Sequence, residues 1–440
     1  MRDDRPQFAN LQSSDGATSA VVSPDGKQIA FTLRGEVFVT SADYATTKQV
    51  THTPAREAGL SFATDNRTLA YASERGGNWQ LYLAKIARKE DPNFPNATLI
   101  EEEVLLPSTT VERAYPQFSP DGKELAFIED RIRLMVLNLE TKKVRQITDG
   151  STWYSTGGGF DYAWSPDGKW FTLEFTGNKH DPYSDIGLVS AEGGKDIINL
   201  TNSGYMSGYP HFALDGNAIL FTTERYGMRA HASWGSLNDA MLVFLNQDAY
   251  DKYCLSKEDY ELRKELEKEQ KKSAGKDTPQ DKNKDKKKKD DKKDSNADEK
   301  DAQPKAIVVE LKGIEARVVR LRPHSSARGE GGYDLWKMNL RKKETRLLHK
   351  MDAGWADMQL DKDGKSLFLL GSHKMQKMDT SSDALTPITF QVDAKMDLAA
   401  EREYMFDHVY RQQQKRFCNT NMHGVDWDKM PAAYRRFLPH

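Results

Sequence analysis

Few residues of this sequence combine the types and the spacing that a catalytic site needs. His423 precedes Gly424 and lies near Asp426, but a histidine–carboxylate pair is not a triad without a positioned nucleophile. Ser233 lies two residues after His231, so in a strand both side chains would share a face. No Gly-x-Ser-x-Gly sequence surrounds this serine. We therefore favour a structural turn at His423 and packing or pocket lining at Ser233.

Metal, phosphate and cofactor sites are equally poorly supported. The sequence from Asp361 to Gly364 resembles the opening of a calcium loop, but Ser372 stands where the bidentate glutamate is expected. The sequence from Ser155 to Gly159 lacks the Gly-Lys-Ser/Thr of a phosphate loop and reads as a turn between blades. Cys254 and Cys418 are too few and too far apart for a zinc site or a disulfide framework. We therefore assign no catalytic, cofactor-binding or metal-binding residue and expect no cofactor.

Composition restricts the class of partner. The 440 residues contain 64 lysines and arginines against 66 aspartates and glutamates, a net charge of −2. Proteins that bind nucleic acid through bulk charge normally show a basic excess. No apolar run approaches the length of a membrane span, and the N-terminus lacks the apolar core of a signal peptide. We predict no nucleic-acid or membrane partner, and a cytoplasmic protein, or a periplasmic one if an upstream signal peptide is missing.

The elements that would position any site are revealed by a repeated phrase. Ser-Pro-Asp-Gly-Lys begins at residues 23, 119 and 165, and weaker copies begin at residues 63, 213 and 361. Between the shared aspartates the steps are 40, 56, 46, 48 and then 148 residues, at Asp25, Asp65, Asp121, Asp167, Asp215 and Asp363. Steps of about 40 to 50 residues are typical of β-propeller blades.

The local chemistry of the phrase also indicates a propeller. Proline presets φ for a turn, aspartate bonds its own backbone, and glycine takes the left-handed position that closes a hairpin. Short apolar runs flank each turn, and a further strand pair follows, such as Val37–Val39 with Gln49–Thr51. We predict an all-β β-propeller of six to seven four-stranded blades, with one blade reduced and a short C-terminal helical segment. An open β-sandwich is the alternative, but it has no reason to repeat one turn at this period.

The step of 148 residues contains an insert and a shortened blade. Lys257–Lys272 is charged with helical propensity, and nine lysines and seven acidic residues fill most of 281–300, a composition typical of disorder. We predict disorder over 268–304, followed by a strand over Ala306–Leu311. The runs Tyr333–Met338 and Thr345–Leu348 look like the outer half of a reduced seventh blade.

Beyond about residue 395 the pattern becomes helical. A helix is predicted from Leu398 to Phe417, a turn over Asn421–Trp427, and a second helix from Asp428 to Phe437. Two helices cannot form their own core, so we expect a further domain to begin here and to be truncated.

These residues carry a resemblance to a known family. Blades with the Ser-Pro-Asp-Gly-Lys phrase resemble those of TolB-like and tricorn-type proteins. The run Glu401–Asp407, followed by Met422–Trp427 and Tyr434, resembles the start of the core domain of tricorn-type serine peptidases. The run Arg225–Gly235 and the lysine-rich insert are similar to bacterial homologues. The resemblance implies four regions, namely propeller blades at 1–255, a disordered charged insert at 256–305, the remaining blades at 306–395, and a truncated core-domain start at 396–440.

The resemblance also implies a function. This chain would be the non-catalytic propeller region of a tricorn-like serine peptidase, guiding or filtering peptides for a downstream catalytic domain. Its partners would be peptides and the parent protein's PDZ and peptidase domains, with a homo-oligomer possible through the family. The family's catalytic serine, Ser-His pair and glutamate match no position here, so we expect the chain alone to be inactive. A TolB-like scaffold that binds another protein is the alternative. The shortened blade between Arg322 and Gly332 departs from a full seven-blade pattern and leaves ring closure open there.

Overall fold

The repeated phrase forms a tight turn between two strands. In the first copy the Ser23 hydroxyl donates to the Asp25 carboxylate over 2.6 Å, and the Lys27 amide donates to the same oxygen over 3.1 Å. Gly26 adopts a φ of +68°, which a side chain would strain. The same bonds recur in two further turns, Ser119–Asp121–Lys123 and Ser165–Asp167–Lys169. The three aspartates therefore occupy equivalent turns, as predicted.

Strands dominate the computed structural model, which describes residues 6–153, 158–177, 183–227, 237–274, 305–321, 333–353, 357–371 and 374–438. Strand β1 (Phe8–Ser13) precedes six four-stranded antiparallel sheets, each in chain order, which we number blades 1 to 6. Blade 1 is β2 (Ser19–Val22), β3 (Gln28–Leu33), β4 (Glu36–Ser41) and β5 (Thr47–Gln49). Blade 2 is β6 (Glu57–Phe62), β7 (Thr68–Ser73), β8 (Gln80–Ile86) and β9 (Ile100–Val104). Blade 3 is β10 (Arg113–Phe118), β11 (Glu124–Glu129), β12 (Arg133–Asn138) and β13 (Val144–Gln146).

The second half of the chain repeats this arrangement. Blade 4 is β14 (Tyr162–Trp164), β15 (Trp170–Phe175), β16 (Asp185–Ser190) and β17 (Ile198–Asn199). Blade 5 is β18 (Ser207–Ala213), β19 (Ala218–Thr223), β20 (Asp239–Phe244) and β21 (Val318–Arg320). A hairpin of β22 (Tyr333–Asn339) and β23 (Glu344–Ala353) precedes blade 6, which is β24 (Asp357–Leu360), β25 (Ser366–Gly371), β26 (Lys374–Asp379) and β27 (Leu385–Ile388). Strand β28 (Val392–Asp397) follows it. The β-propeller prediction is confirmed, with six complete blades.

The first strand of each blade lies next to the axis of the ring. Strands β2, β6 and β10 contact one another in succession, as do β14 and β18. Side chain to backbone bonds join these strands: the Ser61 hydroxyl accepts the Phe118 amide over 3.2 Å, and the Gln117 amide group donates to the Tyr162 carbonyl over 3.0 Å. We call the space that the first strands surround the central channel.

The hydrophobic core lies between adjacent blades. Phe31 of blade 1 and Phe368 of blade 6 share one fully buried cluster, and Val39 of blade 1 packs in another with Leu69 of blade 2. Burying both faces of each sheet in this way is what stabilises a radial array.

The ring closes between blades 6 and 1. The Gln359 side chain accepts the Val22 amide over 2.9 Å and donates to the Ala20 carbonyl over 3.1 Å. Strands β1 and β28 also pair in antiparallel register, from Phe8 with Asp397 to Ser13 with Val392. The two ends of the propeller are therefore joined by backbone pairing.

The hairpin β22–β23 lies where the sequence predicts a reduced blade. Leu335 of β22 packs with Leu369 and Met378 of blade 6. On the other side, the Arg341 guanidinium donates to the carbonyls of Lys252 and Leu255, which lie in the insert between β20 and β21 of blade 5. The hairpin thus bridges blades 5 and 6, and residues 322–332 lie outside the described residues.

The insert begins as helix rather than coil. Helix α1 (Gln247–Cys254) and helix α2 (Lys257–Ala274) follow β20. Helix α2 agrees with the helical propensity predicted for Lys257–Lys272, but it shows that the disorder predicted over 268–304 was wrong for 268–274. Residues 275–304 lie outside the described residues, so disorder there stays a prediction.

The strand predicted over Ala306–Leu311 was wrong. The Ile307 amide donates to Asp167 over 2.9 Å and the Glu310 amide donates to the Leu245 carbonyl, but these residues join no sheet. The place beside β20 is taken by β21, so the β-branched run has no strand edge to pair with.

Two helices follow β28. Helix α3 (Leu398–Arg416) is capped by Asp397, which accepts the amides of Ala399 and Ala400, and α4 (Lys429–Arg435) comes after a short 3-10 turn at Met422–Gly424. Both agree with the predicted helices. Within the described ranges, no helix is both long and apolar enough to cross a membrane.

Candidate functional site

Helix α3 crosses one face of the propeller. Glu401 pairs with Arg34 over 2.8 Å, Arg131 donates to Gln412 over 3.3 Å, and Lys415 donates to Asn78 over 2.8 Å. Arg34, Asn78 and Arg131 lie in the turns between the second and third strands of blades 1, 2 and 3. Because the strands are antiparallel, this face is opposite to the repeated aspartate turns.

A buried carboxylate anchors α3. The Glu74 side chain is fully buried and accepts from the Tyr404 hydroxyl over 2.7 Å, and His408 Nδ1 lies 2.6 Å from the same oxygen. Arg411 lies 3.4 Å from the other carboxylate oxygen. Burial and the bond to Glu74 raise the pKa of Tyr404. Three side chains of one helix face therefore converge on one propeller residue.

Two more buried glutamates lie next to this anchor, at the junction of blades 1 and 2. The Thr51 hydroxyl and the Thr53 amide donate to Glu36, and the hydroxyls of Thr53 and Ser73 donate to Glu57. Burial raises the pKa of Glu36 to about 7. Burial and repulsion by Glu36 raise the pKa of Glu57 to about 8. Both carboxyls are therefore held toward their neutral forms.

A cavity of about 540 Å³ lies between α3 and the first strands of blades 2 and 3, at one end of the central channel. Its floor is small and apolar, formed by Ala58, Gly59, Ala114 and Ile128. Val409 of α3 lines the opposite side. The C-terminal helix therefore forms one wall of the cavity.

The rim of the cavity is aromatic and cationic. Trp79 and Tyr115 line it together with the guanidinium groups of Arg56, Arg131 and Arg416. Arg56 lies 6.0 Å from the Trp79 ring centre, a cation–π distance. Apolar floor, aromatic walls and a few convergent polar groups are typical of a ligand pocket.

Three first strands bulge at one equivalent position, at the end of the central channel next to α3. We call this end the channel mouth. The registers of β6, β10 and β18 shift there, and the bulged residue has a positive φ: Gly59 (+66°), Tyr115 (+55°) and Tyr209 (+55°). Each precedes the first residue of its blade's turn phrase by four positions. The two tyrosines are 48% and 62% exposed.

The equivalent position in blade 4 is acidic. Asp161 lies four residues before Ser165 and is exposed. Partial burial of its carboxyl and repulsion by Asp357 raise the pKa of Asp161, and His211 opposes this. The neighbouring Glu174 has its pKa raised to about 7 by burial and by Asp161. This side of the mouth therefore carries two carboxyl groups, whereas the cavity rim carries three arginines and Glu112, which pairs with Arg131 over 3.4 Å.

The residues that the sequence singled out do not assemble into a site. The His423 ring contacts Phe417 and lies near Asn419, while Asp426 pairs with Lys429 over 2.8 Å. Asp361 accepts the amides of Lys365 and Ser366, so this stretch forms a hairpin turn. His231, Ser233 and Ser372 lie outside the described residues, as do 155–157. Among the described residues, no group of histidine, cysteine and acidic side chains could hold a metal ion.

The two tyrosines of the channel mouth were not predicted from the sequence as site residues. A signal was present, because a Tyr-Pro pair occurs at the same distance before two turn phrases, as Tyr115-Pro116 and Tyr209-Pro210. Recognising it would have required knowing that this position bulges into the channel.

The fold and this site define a six-bladed propeller whose cavity is walled by a C-terminal helix. Residues 398–440 match the family model of the Tricorn protease C1 domain. The crystal structure of the tricorn protease superposes with a TM-score of 0.67 at 13% identity, covering 98% of this chain and 40% of that chain. At this identity the likeness shows the fold alone. The chain thus combines a tricorn-like propeller with a segment that matches the C1 domain.

TolB proteins are similar over a shorter region. The Tol-Pal system protein TolB of Francisella tularensis subsp. mediasiatica (strain FSC147) is 30% identical over 93 residues. This region is 20% of the present chain and 19% of TolB. The chain therefore spans about a fifth of the curated relative it matches, and two fifths of the tricorn protease chain.

Proposed function

We propose that this chain is the propeller region of a tricorn-like serine peptidase and that it guides peptides through the cavity beneath α3. The observation that carries the proposal is that α3, which begins the segment matching the C1 domain, forms a wall of the propeller cavity. A ligand there would touch the propeller and the segment leading toward a catalytic domain. We propose residues 396–440 as the start of that core domain, with PDZ and peptidase domains as partners.

The chemistry of the cavity suits a peptide better than a compact metabolite. Side chains can pack on its apolar floor and aromatic walls, and the arginines of its rim can donate hydrogen bonds to carbonyl or carboxylate oxygens. A peptide that threads a channel loses much conformational freedom, so affinity should be weak, on the order of millimolar to tens of micromolar. Weak affinity suits a guide, because the peptide must also leave.

The chain alone should bind peptides without cleaving them. Acyl transfer by a serine needs a nucleophile within reach of a base and donors aimed at the oxyanion, and the described residues provide no such set. A mixed fluorogenic peptide panel should therefore show no turnover above buffer, while the same peptides, labelled, show saturable binding. Turnover that survives repeated purification would contradict this assignment of the chemistry.

Filling the cavity from α3 should weaken peptide binding. Val409 lines the cavity and is 65% exposed, so Val409→Trp places a large ring in the opening without disturbing the buried core. We expect the Kd for labelled peptides to rise at least about fivefold, measured by fluorescence anisotropy.

The matched control is Met405→Trp. Met405 is on the same helix and 54% exposed, but it does not line the cavity. It should leave the Kd unchanged. Equal losses from both variants would show that the ligand does not occupy this cavity.

The alternative is a scaffold that binds another protein, which the 93-residue likeness to TolB favours. A scaffold would hold its partner on outer surfaces of the blades. In that case peptides would not bind saturably, and Val409→Trp would leave partner binding unchanged.

A further inference from the structure

Two tyrosines at the channel mouth occupy a backbone conformation that a tyrosine adopts at a cost. The φ of both Tyr115 and Tyr209 is +55°, in the left-handed region where a Cβ clashes with the backbone. Gly59 occupies the equivalent bulge of blade 2 and avoids this cost. Glycine therefore suits the bulge, and an aromatic ring is not needed to form it. We infer that the two tyrosines have a role other than shaping the strand.

Asp161 stands between these tyrosines around the channel. The Tyr162 hydroxyl donates to the Tyr115 carbonyl, which ties blade 4 to blade 3. On the other side, Glu174 of blade 4 accepts the Tyr209 amide over 2.8 Å, and the Glu174 amide donates to the Asp161 carbonyl over 2.9 Å. Tyr115, Asp161 and Tyr209 thus occupy equivalent positions of three consecutive blades.

Within the described ranges, the Asp161 carboxylate forms no hydrogen bond or ion pair, and only burial and nearby charges shift its pKa. The neighbouring titratable groups are His211, which opposes the rise in the pKa of Asp161, and the acids Asp357 and Glu174. A carboxylate attracts a cation through charge, and an exposed tyrosine ring can add a cation–π contribution. An acidic group would be repelled, and an apolar group would cover the carboxylate without compensation.

We propose that Tyr115, Asp161 and Tyr209 form a subsite that binds a basic side chain, lysine or arginine, of a peptide entering the channel. This subsite rests on the proposed function and adds a specificity to it. The peptide backbone would lie along the cavity floor, since Gly158 and Gly159 of the cavity lining lie three and two residues before Asp161 in the chain. The Tyr115 ring lines the cavity and packs against Gly159, where a Cβ would lie 2.7 Å from the ring, two residues before Asp161 in the chain.

The test uses matched peptides on the full chain. Labelled peptides with acetylated N-termini would differ at one central position, carrying lysine, arginine, acetyl-lysine or glutamate. We expect lysine and arginine peptides to bind about three- to tenfold more tightly than the acetyl-lysine peptide. Asp161→Asn should remove this preference while leaving the affinity for acetyl-lysine unchanged.

The tyrosine itself is tested by Tyr209→Gly. If the ring serves the ligand, this variant relieves the left-handed strain, so the Tm stays equal or rises while the preference for lysine falls. Tyr209→Phe keeps the ring and should keep the preference. Tyr44→Ala is the control, because Tyr44 is 75% exposed in the β4–β5 turn on the opposite face, and it should change nothing.

Two results would overturn the subsite. One is equal binding of the lysine and acetyl-lysine peptides by the unmodified chain. The other is a lower Tm of Tyr209→Gly with the lysine preference intact, which would make the tyrosine structural. If none of the peptides binds, the proposed function fails and the subsite fails with it. If the lysine and acetyl-lysine peptides bind equally well, only the subsite fails, so the two failures are distinguishable.

Discussion

Glu74→Ala should detach helix α3 from the propeller while the blades stay folded. The substitution removes the acceptor of Tyr404 and His408 and leaves the Arg411 guanidinium without its counter-charge. Breaking a buried charge pair from one side costs about 3 kcal/mol or more. Amide hydrogen exchange across 398–416 should then accelerate roughly 100-fold, with exchange in the blade strands unchanged.

The control for this prediction is Arg34→Ala. Its partner Glu401 is also on α3, but Arg34 is about half exposed, and exposed pairs contribute only about 0–1 kcal/mol. Exchange over α3 should barely change. If Glu74→Ala leaves α3 as protected as before, the helix is held by other contacts, and the cavity does not depend on this anchor.

Glu57→Gln should stabilise the protein at alkaline pH and have little effect at acidic pH. The folded pKa of Glu57, about 8, lies above the ordinary value of 4.5, so between these values the folded chain holds more protons than the unfolded chain. Its stability therefore falls as pH rises through this window. The neutral glutamine removes this penalty, and we expect a gain on the order of 2–4 kcal/mol near pH 9 and almost none near pH 4.5. Urea unfolding at both pH values measures it.

Glu103→Gln serves as the comparison. Glu103 is on the exposed strand β9, and its bond with Lys85 lowers its pKa. Its stability contribution is present above its unfolded pKa and lost in acid, so the substitution should produce no gain at pH 9. A Glu57→Gln variant that is less stable than the unmodified chain at pH 9 would show that the charged carboxylate is needed at the blade junction.

Much of the propeller could be predicted because its signals are local. Ser23, Asp25 and Gly26 build their turn from atoms within five residues of one another, so the same phrase makes the same turn wherever it occurs. The repeat period then defines the blades. Helix α3 was predicted almost to the residue for the same reason, because side-chain periodicity and an aspartate cap act within a few turns.

The run Ala306–Leu311 shows where local signals fail. Its β-branched residues favour a strand, but a strand forms only if a neighbouring edge is free. Strand β21 already pairs with β20 through Val318 and Val319. The outcome was set by competition for one sheet edge, which propensity does not contain.

The order of blades, the turn types and the helices follow from neighbours in the chain, and so they could be predicted from the residues themselves. The site could not. Glu74 meets Tyr404 across 330 residues, and Tyr115, Asp161 and Tyr209 become neighbours only when three blades are placed side by side. Such contacts depend on the closed ring and on the direction in which α3 leaves β28, because these determine which distant side chains share one face.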